Sequence, residues 1–249
     1  MSCFHFSVIT IFPQMLEAFT RHGVFGRAVT GGLIQVTLID PRDFTDDVHR
    51  SVDDEPFGGG PGMVFKPLPL YRAIRSAKKT NSGPVVYLSP AGSRLTHSRV
   101  LEYANLEGVT ILCGRYEGVD QRIIDRFVDD EISIGDYVLS GGEPAATVLM
   151  DAISRQLPGV VKEEESVRQD SFFDGLLDHP HYTRPAVFDG EVVPDVLLSG
   201  DHGRIHEWRQ KMKLLQTLMR RPDLLESATL TPEQKKWLIE IRNGLKHHL

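Results

Sequence analysis

The stretch Ile132-Ser-Ile-Gly-Asp-Tyr-Val-Leu-Ser-Gly-Gly-Glu-Pro144 decides the fold of this 249-residue chain. A short apolar segment ends at Gly135, the pair Gly141–Gly142 follows, and a helix-like pattern runs from Glu143 to Leu157. Glycine tolerates positive φ and lets other groups approach the backbone, so this pattern is typical of a loop built around a ligand. A similar loop, Cys113-Gly-Arg-Tyr-Glu-Gly118, also follows an apolar run. Because loops after consecutive parallel strands meet at one sheet edge, we predict a ligand pocket there.

Strand-like and helix-like segments alternate through the first 160 residues. The strand-like segments are Phe4–Phe12, Leu33–Ile39, Val85–Leu88, Val109–Leu112 and Glu131–Ile134. Such alternation predicts an α/β fold with a mostly parallel sheet that is covered on both faces. The polar residues 40–55 lack apolar periodicity and are predicted to be an exposed loop.

Composition changes near Val160. We predict one domain over residues 1–160, a flexible linker over the polar residues 161–169 and a small, mostly helical domain over residues 170–249. In this last part the periodicity predicts helices over Ile205–Arg220 and Pro232–Leu245.

Composition and charge restrict the class of protein. No apolar run approaches the roughly 20 residues that span a bilayer, and the start lacks the pattern of a signal peptide, so we expect a cytoplasmic protein. Cys3 and Cys113 are too few for a disulfide framework or a cysteine zinc site. The net charge is −6, but residues 201–249 carry ten Lys/Arg against six Asp/Glu. This basic part is either an ordinary solvated surface or a surface for RNA.

The residue types exclude several reactions. The chain has no Gly-x-Ser-x-Gly elbow, no His-Glu-x-x-His and no Cys-x-x-Cys. Carboxylates and arginines near the glycine loops remain as candidates for chemistry. Asp151 and Arg155 also have the spacing of a helix-surface ion pair, and Asp170 before Ser171 also has the pattern of a helix N-cap.

Two further patterns resemble ligand sites without completing one. Phe57-Gly-Gly-Gly-Pro-Gly-Met63 is glycine-rich, but a P-loop would end in Gly-Lys-Ser/Thr, so a tight structural or substrate-facing turn is predicted. His179 and His181 flank Pro180, which we expect to point the two imidazoles in different directions. No metal ligands are therefore predicted.

The chain resembles a known family, the bacterial tRNA (guanine-N1)-methyltransferases of the SPOUT class. The resemblance is nearly end to end. It rests on Thr10–Pro13, Asp53–Met63, Leu88–Gly92, Cys113–Arg122, Ser133–Glu143 and Asp170–Pro185. One position departs from the family pattern, in which Glu-Leu-Pro-Ala follows the glycine pair, whereas Pro144 directly follows Glu143 here.

The resemblance implies a SPOUT-type α/β domain with a deep trefoil knot that binds S-adenosylmethionine. General topology rules would have led us to an unknotted sheet. By resemblance, backbone groups of Gly114, Ile134, Tyr137 and Leu139 hydrogen-bond the cofactor. The full set of implied cofactor residues is Leu88, Ser89, Pro90, Gly114, Tyr116, Glu117, Ser133, Ile134, Gly135, Tyr137, Val138, Leu139, Gly141 and Gly142.

The implied reaction is methyl transfer to N1 of the guanine at tRNA position 37, immediately 3′ of the anticodon. Asp170 corresponds to the family's general base, Arg155 to the group near guanine O6, and Glu117 to an acidic residue near the methyl donor. The residues that resemble those around the target guanine and its neighbour are Asp53, Asp54, Arg115, Asp178 and His181. The family also implies Mg²⁺ dependence and a homodimer whose active site is shared between subunits.

Three alternatives stay open from the sequence. They are a SPOUT methyltransferase that acts on another RNA nucleoside, an RNA-binding module without catalysis, and a nucleotide-phosphate-binding protein that uses Phe57–Met63. The Asp170–Phe172 segment argues against the first, and the joint presence of Glu117, Arg155 and Asp170 argues against the second.

Overall fold

The computed structural model describes residues 3–246 of the chain. It divides into two compact units, one that ends at Lys162 and one that begins at Glu163. This division falls within the segment 161–169 that the sequence marks as a linker. Among the described residues, no helix has both the length and the apolar character that crossing a membrane demands.

The first unit alternates strands and helices. Its strands are β1 (Phe4–Ile9), β2 (Ile34–Ile39), β3 (Asp53–Asp54), β4 (Val64–Phe65), β5 (Val85–Arg94), β6 (Gly108–Cys113) and β7 (Asp130–Ser133). Its helices are α1 (Pro13–Arg21), α2 (Gly23–Thr30), α3 (Pro67–Ala77), α4 (His97–Ala104), α5 (Gln121–Phe127) and α6 (Glu143–Ser154).

Five of these strands form one sheet in the order β2-β1-β6-β5-β7. Every neighbouring pair is parallel, from Phe4 opposite Ile34 at one edge to Val86 opposite Asp130 at the other. The predicted α/β class with a parallel sheet is therefore confirmed. In this order β6, β5 and β7 are adjacent, so the loops that follow these three strands leave from the same edge.

Apolar side chains cover both faces of the sheet, because residues along each strand alternate between the faces. On one face Phe6 and Ile111 pack with residues of α1, α2, α4 and α6, including Leu149. On the other face Tyr87 and Leu112 pack with residues of α3 and α5. Strand β6 reads as a nearly continuous apolar run, as expected for a strand buried on both faces. Strand β1 instead alternates, with His5 and Ser7 between apolar residues, and both polar side chains are buried.

A buried asparagine joins elements that lie far apart in the chain. The amide nitrogen of Asn81 donates to His5 O at 2.9 Å and to Val109 O at 3.1 Å, and its oxygen accepts from Gly83 N at 3.0 Å. Because an unpaired amide in the core would be costly, these bonds fix the entry to β5 against β1 and β6.

Two sequence predictions for the first unit need correction. Residues 40–55, predicted as an exposed loop, are largely exposed but contain local structure: Pro41–Phe44 form a 3-10 turn capped by Asp40, and β3 pairs antiparallel with β4. Strand β5 also does not end at Leu88. It continues to Arg94, but Leu88 and Ser93 both lie opposite Ile132, so residues 89–92 bulge out of the ladder. Capping and pairing with distant residues leave no periodic signal in the sequence.

The second unit is largely helical and has its own small core. Its elements are α7 (Glu164–Gln169), β8 (Val187–Phe188), β9 (Glu191–Val192), α8 (Asp195–Leu198), α9 (His202–Arg220), α10 (Pro222–Ser227) and α11 (Pro232–Lys246). Leu176, Leu214 and Trp237 pack in its interior. Within the described part of α9, Lys213 is the one charged residue that is buried. Its ammonium lies 2.5 Å from the Asp174 carboxylate, so the buried charge is paired. Part of the predicted linker is helix α7; its flexibility stays a prediction.

Candidate active site

Three loops surround one cleft at the carboxyl edge of the parallel sheet. They are the bulge within β5 and the loops that follow β6 and β7, and together they enclose a volume of about 270 Å³. The bulge at residues 89–92, the loop from Gly114 to Gly118 and the loop from Ile134 to Gly142 contribute its walls. This is the edge at which ligands bind in parallel α/β folds.

Every residue that the sequence comparison implied for cofactor binding lines this cleft. They are Leu88, Ser89, Pro90, Gly114, Tyr116, Glu117, Ser133, Ile134, Gly135, Tyr137, Val138, Leu139, Gly141 and Gly142. Arg115, which was predicted as an RNA contact, lines it too, together with Tyr87, Gly118, Ile132, Ser140 and Ala145. Tyr87, Ile132 and Ala145 were missed because they appear in sequence as ordinary core positions. Cofactor binding by these residues stays a prediction.

Glycines let the three loops approach one another more closely than other residues would. A Cβ at Gly142 would lie 2.7 Å from the Cα of Cys113, and one at Gly114 would lie 2.8 Å from the Tyr87 hydroxyl oxygen. The Gly142 amide also donates to Gly114 O at 2.9 Å, which joins the second loop to the third. The glycine pair therefore allows the second and third loops to pack closely, in addition to leaving the backbone open to a ligand.

A buried ion pair fixes the wall of the cleft. Glu143, the first residue of α6, is 1% exposed, and its Oε2 lies 2.9 Å from Arg115 Nε and 2.8 Å from Arg115 Nη2. Its Oε1 accepts from the Thr10 hydroxyl at 2.7 Å. Arg115 also donates to Ser140 O at 3.1 Å and lies over the Phe12 ring at 4.6 Å. The carboxylate is favoured further by its position at a helix N-terminus.

Glu143 is one of the carboxylates near the glycine loops, but the sequence did not predict it as a site residue. Its position directly after the Gly141–Gly142 pair could have indicated a role in the site. Pro144, the departure from the family pattern, lies in the first turn of α6, where proline is well tolerated because its missing N–H would be unpaired anyway.

Glu117 lies where the cleft meets the glycine-rich loop Phe57–Met63. Its backbone amide donates to Met63 O at 2.9 Å, and a Cβ at Gly62 would lie 2.3 Å from the Glu117 carboxylate oxygen Oε1. Gly62 has a φ of +82°, which glycine adopts without strain. The glycine-rich loop thus shapes the position of Glu117, as a structural turn rather than as a phosphate cradle.

Three titratable groups at the cleft have shifted pKa values. Burial, together with the nearby Glu143 carboxylate, raises the pKa of the Cys113 thiol well above its usual value. Burial raises the pKa of the Tyr87 hydroxyl, with a contribution from Glu131. Burial and the Asp53 carboxylate raise the pKa of Tyr116. All three shifts keep these groups protonated at neutral pH, so none of them acts as an anionic nucleophile there.

Some backbone groups of the predicted cofactor residues already have partners within the loops. The Tyr137 amide donates to Gly135 O at 3.0 Å, and the Tyr137 hydroxyl donates to Ile134 O at 3.3 Å. The side chains of Tyr137 and Val138 are largely exposed. A ligand that uses the Tyr137 amide would therefore have to replace its bond to Gly135 O.

The residues predicted for catalysis lie in both units. Arg155 lies in the first unit, at the C-terminal end of α6, and is partly buried. Asp170 lies in the second unit, directly after the last residue of α7, and is also partly buried. Its amide donates to Val167 O at 3.4 Å, so it ends a helix and is not the N-cap that the alternative interpretation assumed.

The two acidic residues predicted to contact RNA in the first unit lie near the cleft but outside its lining. Asp53 pairs with Phe65 in the short β3–β4 ladder, and its charge acts on Tyr116. Asp54 lies 3.5 Å from Lys66 Nζ and lines a second, larger cavity of about 970 Å³. That cavity contains none of the predicted cofactor residues, and the exposed Phe57 is on its wall.

In the second unit the structure overturns one prediction. His179 and His181 do not point apart, because their ring centroids lie 4.5 Å from each other. Both imidazoles face Asp178, with His181 Nε2 2.9 Å from Asp178 Oδ2. The extended, irregular segment around Pro180 places the two rings side by side, which the sequence pattern does not predict.

Fold and cleft together define an α/β protein with a ligand site built from glycine loops at the carboxyl edge of a parallel sheet. The model of the family described as tRNA (Guanine-1)-methyltransferase TrmD matches residues 4–227. The chain belongs to this methyltransferase family.

Proteins named tRNA (guanine-N(1)-)-methyltransferase are similar to the chain over nearly its whole length. The one from Aromatoleum aromaticum is 54% identical over 244 residues, which covers 96% of this chain and 93% of the relative. Those from Buchnera aphidicola and Proteus mirabilis are each 52% identical, and they cover 95% and 94% of this chain, with 91% and 95% of their own lengths aligned.

Proposed function

We propose that this protein transfers a methyl group from S-adenosylmethionine to N1 of the guanine at tRNA position 37, immediately 3′ of the anticodon. Two findings support the proposal. The chain belongs to the family of tRNA guanine methyltransferases, and close relatives carry that name. The observation that carries the cofactor assignment is that all fourteen implied cofactor residues surround one cleft.

The chemistry of the cleft fits S-adenosylmethionine. Leu88, Ile134 and Leu139 offer apolar contact for an adenine ring, and the glycine loops expose backbone groups to its polar edge. Glu117 offers an anionic group for the positively charged part of the cofactor. When bound, S-adenosylmethionine supplies a methyl group on a sulfonium, which is a strong electrophile.

Asp170 is assigned as the general base. N1 of neutral guanine carries a proton, which must leave as the new N–C bond forms. A carboxylate with a solution pKa of ~3.9 is a weak base for this proton, so its effectiveness rests on positioning. The location of Asp170 at the end of a short helix, after a polar segment, suits a base that is placed when the RNA binds.

Arg155 is assigned to the charge that develops on guanine O6. Loss of the N1 proton moves negative charge onto this oxygen, and a guanidinium can donate two hydrogen bonds to it. A donor aimed at developing charge lowers a barrier by ~3–4 kcal/mol in comparable sites. Arg155 follows the last turn of α6, where the helix dipole has its negative end. This end favours the positive charge of the guanidinium.

The remaining predicted residues are assigned to RNA. Asp53, Asp54, Arg115, Asp178 and His181 are proposed to contact the target guanine and its neighbour. The basic helices α9 and α11 are proposed to contact phosphates, as their excess of Lys and Arg favours. The buried pair with Glu143 gives Arg115 a fixed orientation for this task.

We do not assign a binding site for Mg²⁺. Magnesium prefers oxygen ligands and often uses one or two carboxylates with the substrate. Within residues 3–246, the one group of three potential ligands that comes together contains two imidazoles. This donor set does not fit Mg²⁺, and no step is derived through it.

The proposal includes a trefoil knot in the first unit, a homodimer with a shared active site, a helical RNA-binding second domain and a cytoplasmic location. Family membership supports the knot; the bond from Gly142 N to Gly114 O holds the loop after β7 against the end of β6. Arg155 and Asp170 belong to different units; the shared active site of a homodimer is proposed from family membership.

Methyl transfer to an unmodified tRNA transcript tests the substrate. The comparison is the same transcript with adenine in place of the guanine 3′ of the anticodon. Incorporation that disappears with this replacement is expected. Equal incorporation into both would mean that the target nucleoside is wrong, and cofactor binding without any incorporation would favour the RNA-binding alternative.

The variant Asp170→Asn tests the general base. It keeps the shape of the side chain but cannot accept a proton, so we expect loss of turnover with unchanged cofactor affinity in a calorimetric titration. Asp195→Asn is the matched control, because Asp195 is an exposed aspartate in the same unit. Full turnover by Asp170→Asn would refute the assignment.

A further inference from the structure

A compact cluster of three side chains lies in the second unit, outside the cofactor cleft. Asp178, His179 and His181 each offer one potential ligand atom, and these atoms all lie within 4.8 Å of one another. His181 Nε2 lies 2.9 Å from Asp178 Oδ2, and His179 Nε2 lies 3.8 Å from Asp178 Oδ1.

The other ring nitrogen of His179 fixes its tautomer. Nδ1 lies 3.1 Å from Pro180 O, and since a carbonyl can only accept, Nδ1 must carry the proton. A neutral His179 therefore presents the bare lone pair of Nε2 to the Asp178 carboxylate. Two acceptors that face each other gain nothing from the contact, but both can bind a cation placed between them.

The surroundings hold this arrangement in place. The His179 side chain is 8% exposed and lies near the Trp208 ring, with centroids 6.4 Å apart. The Asp178 amide donates to the Ser171 hydroxyl at 2.9 Å, and the His179 amide donates to Asp178 Oδ1 at 2.6 Å. A backbone bond to the carboxylate and a carbonyl bond to the imidazole are the supports that protein metal ligands commonly have.

We propose that Asp178, His179 and His181 form a binding site for a divalent transition metal of the Zn²⁺ type. The site shares Asp178 and His181 with the proposed RNA contacts, so Zn²⁺ binding is measured on the chain without RNA. Ligands of a tetrahedral zinc ion lie about 3.3 Å apart, given bonds of about 2.0–2.1 Å, so side-chain shifts on the order of 1 Å complete the site. Two imidazoles with one carboxylate select zinc, cobalt or nickel over magnesium. The exposed His181 leaves room for a fourth, exchangeable ligand.

Titration of Zn²⁺ alone into the untagged full-length chain, after removal of metals by a chelator, tests the proposal. We expect one Zn²⁺ ion bound per site that a large excess of Mg²⁺ does not displace, and Co²⁺ in its place should show the visible absorption of a tetrahedral complex. Absence of binding, or displacement by Mg²⁺, would overturn the proposal.

Variants locate the site. Asp178→Asn and His181→Gln should each weaken Zn²⁺ binding by more than the ~10–100-fold that loss of a supporting partner causes. His181 is largely exposed, so its replacement tests the site without disturbing the core. His202 and His206, at i, i+4 on α9, are another pair that could chelate the ion. Loss of binding in a His202→Gln/His206→Gln variant, with binding retained in His181→Gln, would refute the assignment.

Discussion

Replacement of Glu143 by Gln provides the sharpest test of how the cleft is held together. The side chain keeps its size, but its amide nitrogen would face the Arg115 guanidinium, so one donor would meet another. Arg115 would retain its charge at a position where its side chain is 16% exposed. The bond that Glu143 accepts from Thr10, at 2.7 Å, can survive through the remaining carbonyl oxygen.

The magnitude follows from the burial of the pair. Removal of one partner from a buried ion pair typically costs ~3–5 kcal/mol. Arg115 is not fully buried and also lies over the Phe12 ring, which retains part of its stabilisation. We therefore expect the free energy of unfolding of the first unit to fall by about 3 kcal/mol, at the lower end of this range.

Urea unfolding followed by far-ultraviolet circular dichroism measures this loss. Both tryptophans, Trp208 and Trp237, belong to the second unit, so their fluorescence reports on that unit and serves as the internal control. The double variant Glu143→Gln/Arg115→Met should recover much of the loss, because an apolar replacement removes the unpaired charge. A loss below about 1 kcal/mol in the single variant, the value of an exposed pair, would refute the reasoning.

Three further predictions follow from other parts of the structure. Asn81→Asp should destabilise the first unit more than Asn81→Ala in urea unfolding, because a buried carboxylate would face His5 O and Val109 O; the reverse order would contradict the assigned bonds. Gly114→Ala should weaken S-adenosylmethionine binding measured by calorimetry, since the new Cβ would lie 2.8 Å from the Tyr87 hydroxyl, and Gly114→Ala/Tyr87→Phe should restore part of it. Burial lowers the pKa of His179, so the unfolded chain binds more protons than the folded one below about pH 6.5; stability should fall as pH drops through that value, and NMR titration of the imidazole should show the low pKa directly.

The sequence alone determined the order of the elements and the location of the loops. The apolar run of β6 and the loose alternation of Phe, Val and Ile in β1 both predict strands, and both strands are buried. Glycines at the strand ends indicated the loops, because the close contacts at these positions leave no room for a Cβ. The resemblance to a family then supplied the list of residues that line the cleft.

Only the tertiary structure decided which distant groups meet. Glu143 binds Arg115 and Thr10 because the adjacency of strands in the sheet brings their loops to one edge, and no local pattern encodes that adjacency. The convergence of His179 and His181 on Asp178 depends on the irregular backbone around Pro180 and on the packing of His179 near Trp208 of α9. Local periodicity records which face of an element is buried, whereas the identity of the group that covers it is set by pairings between residues far apart in the chain.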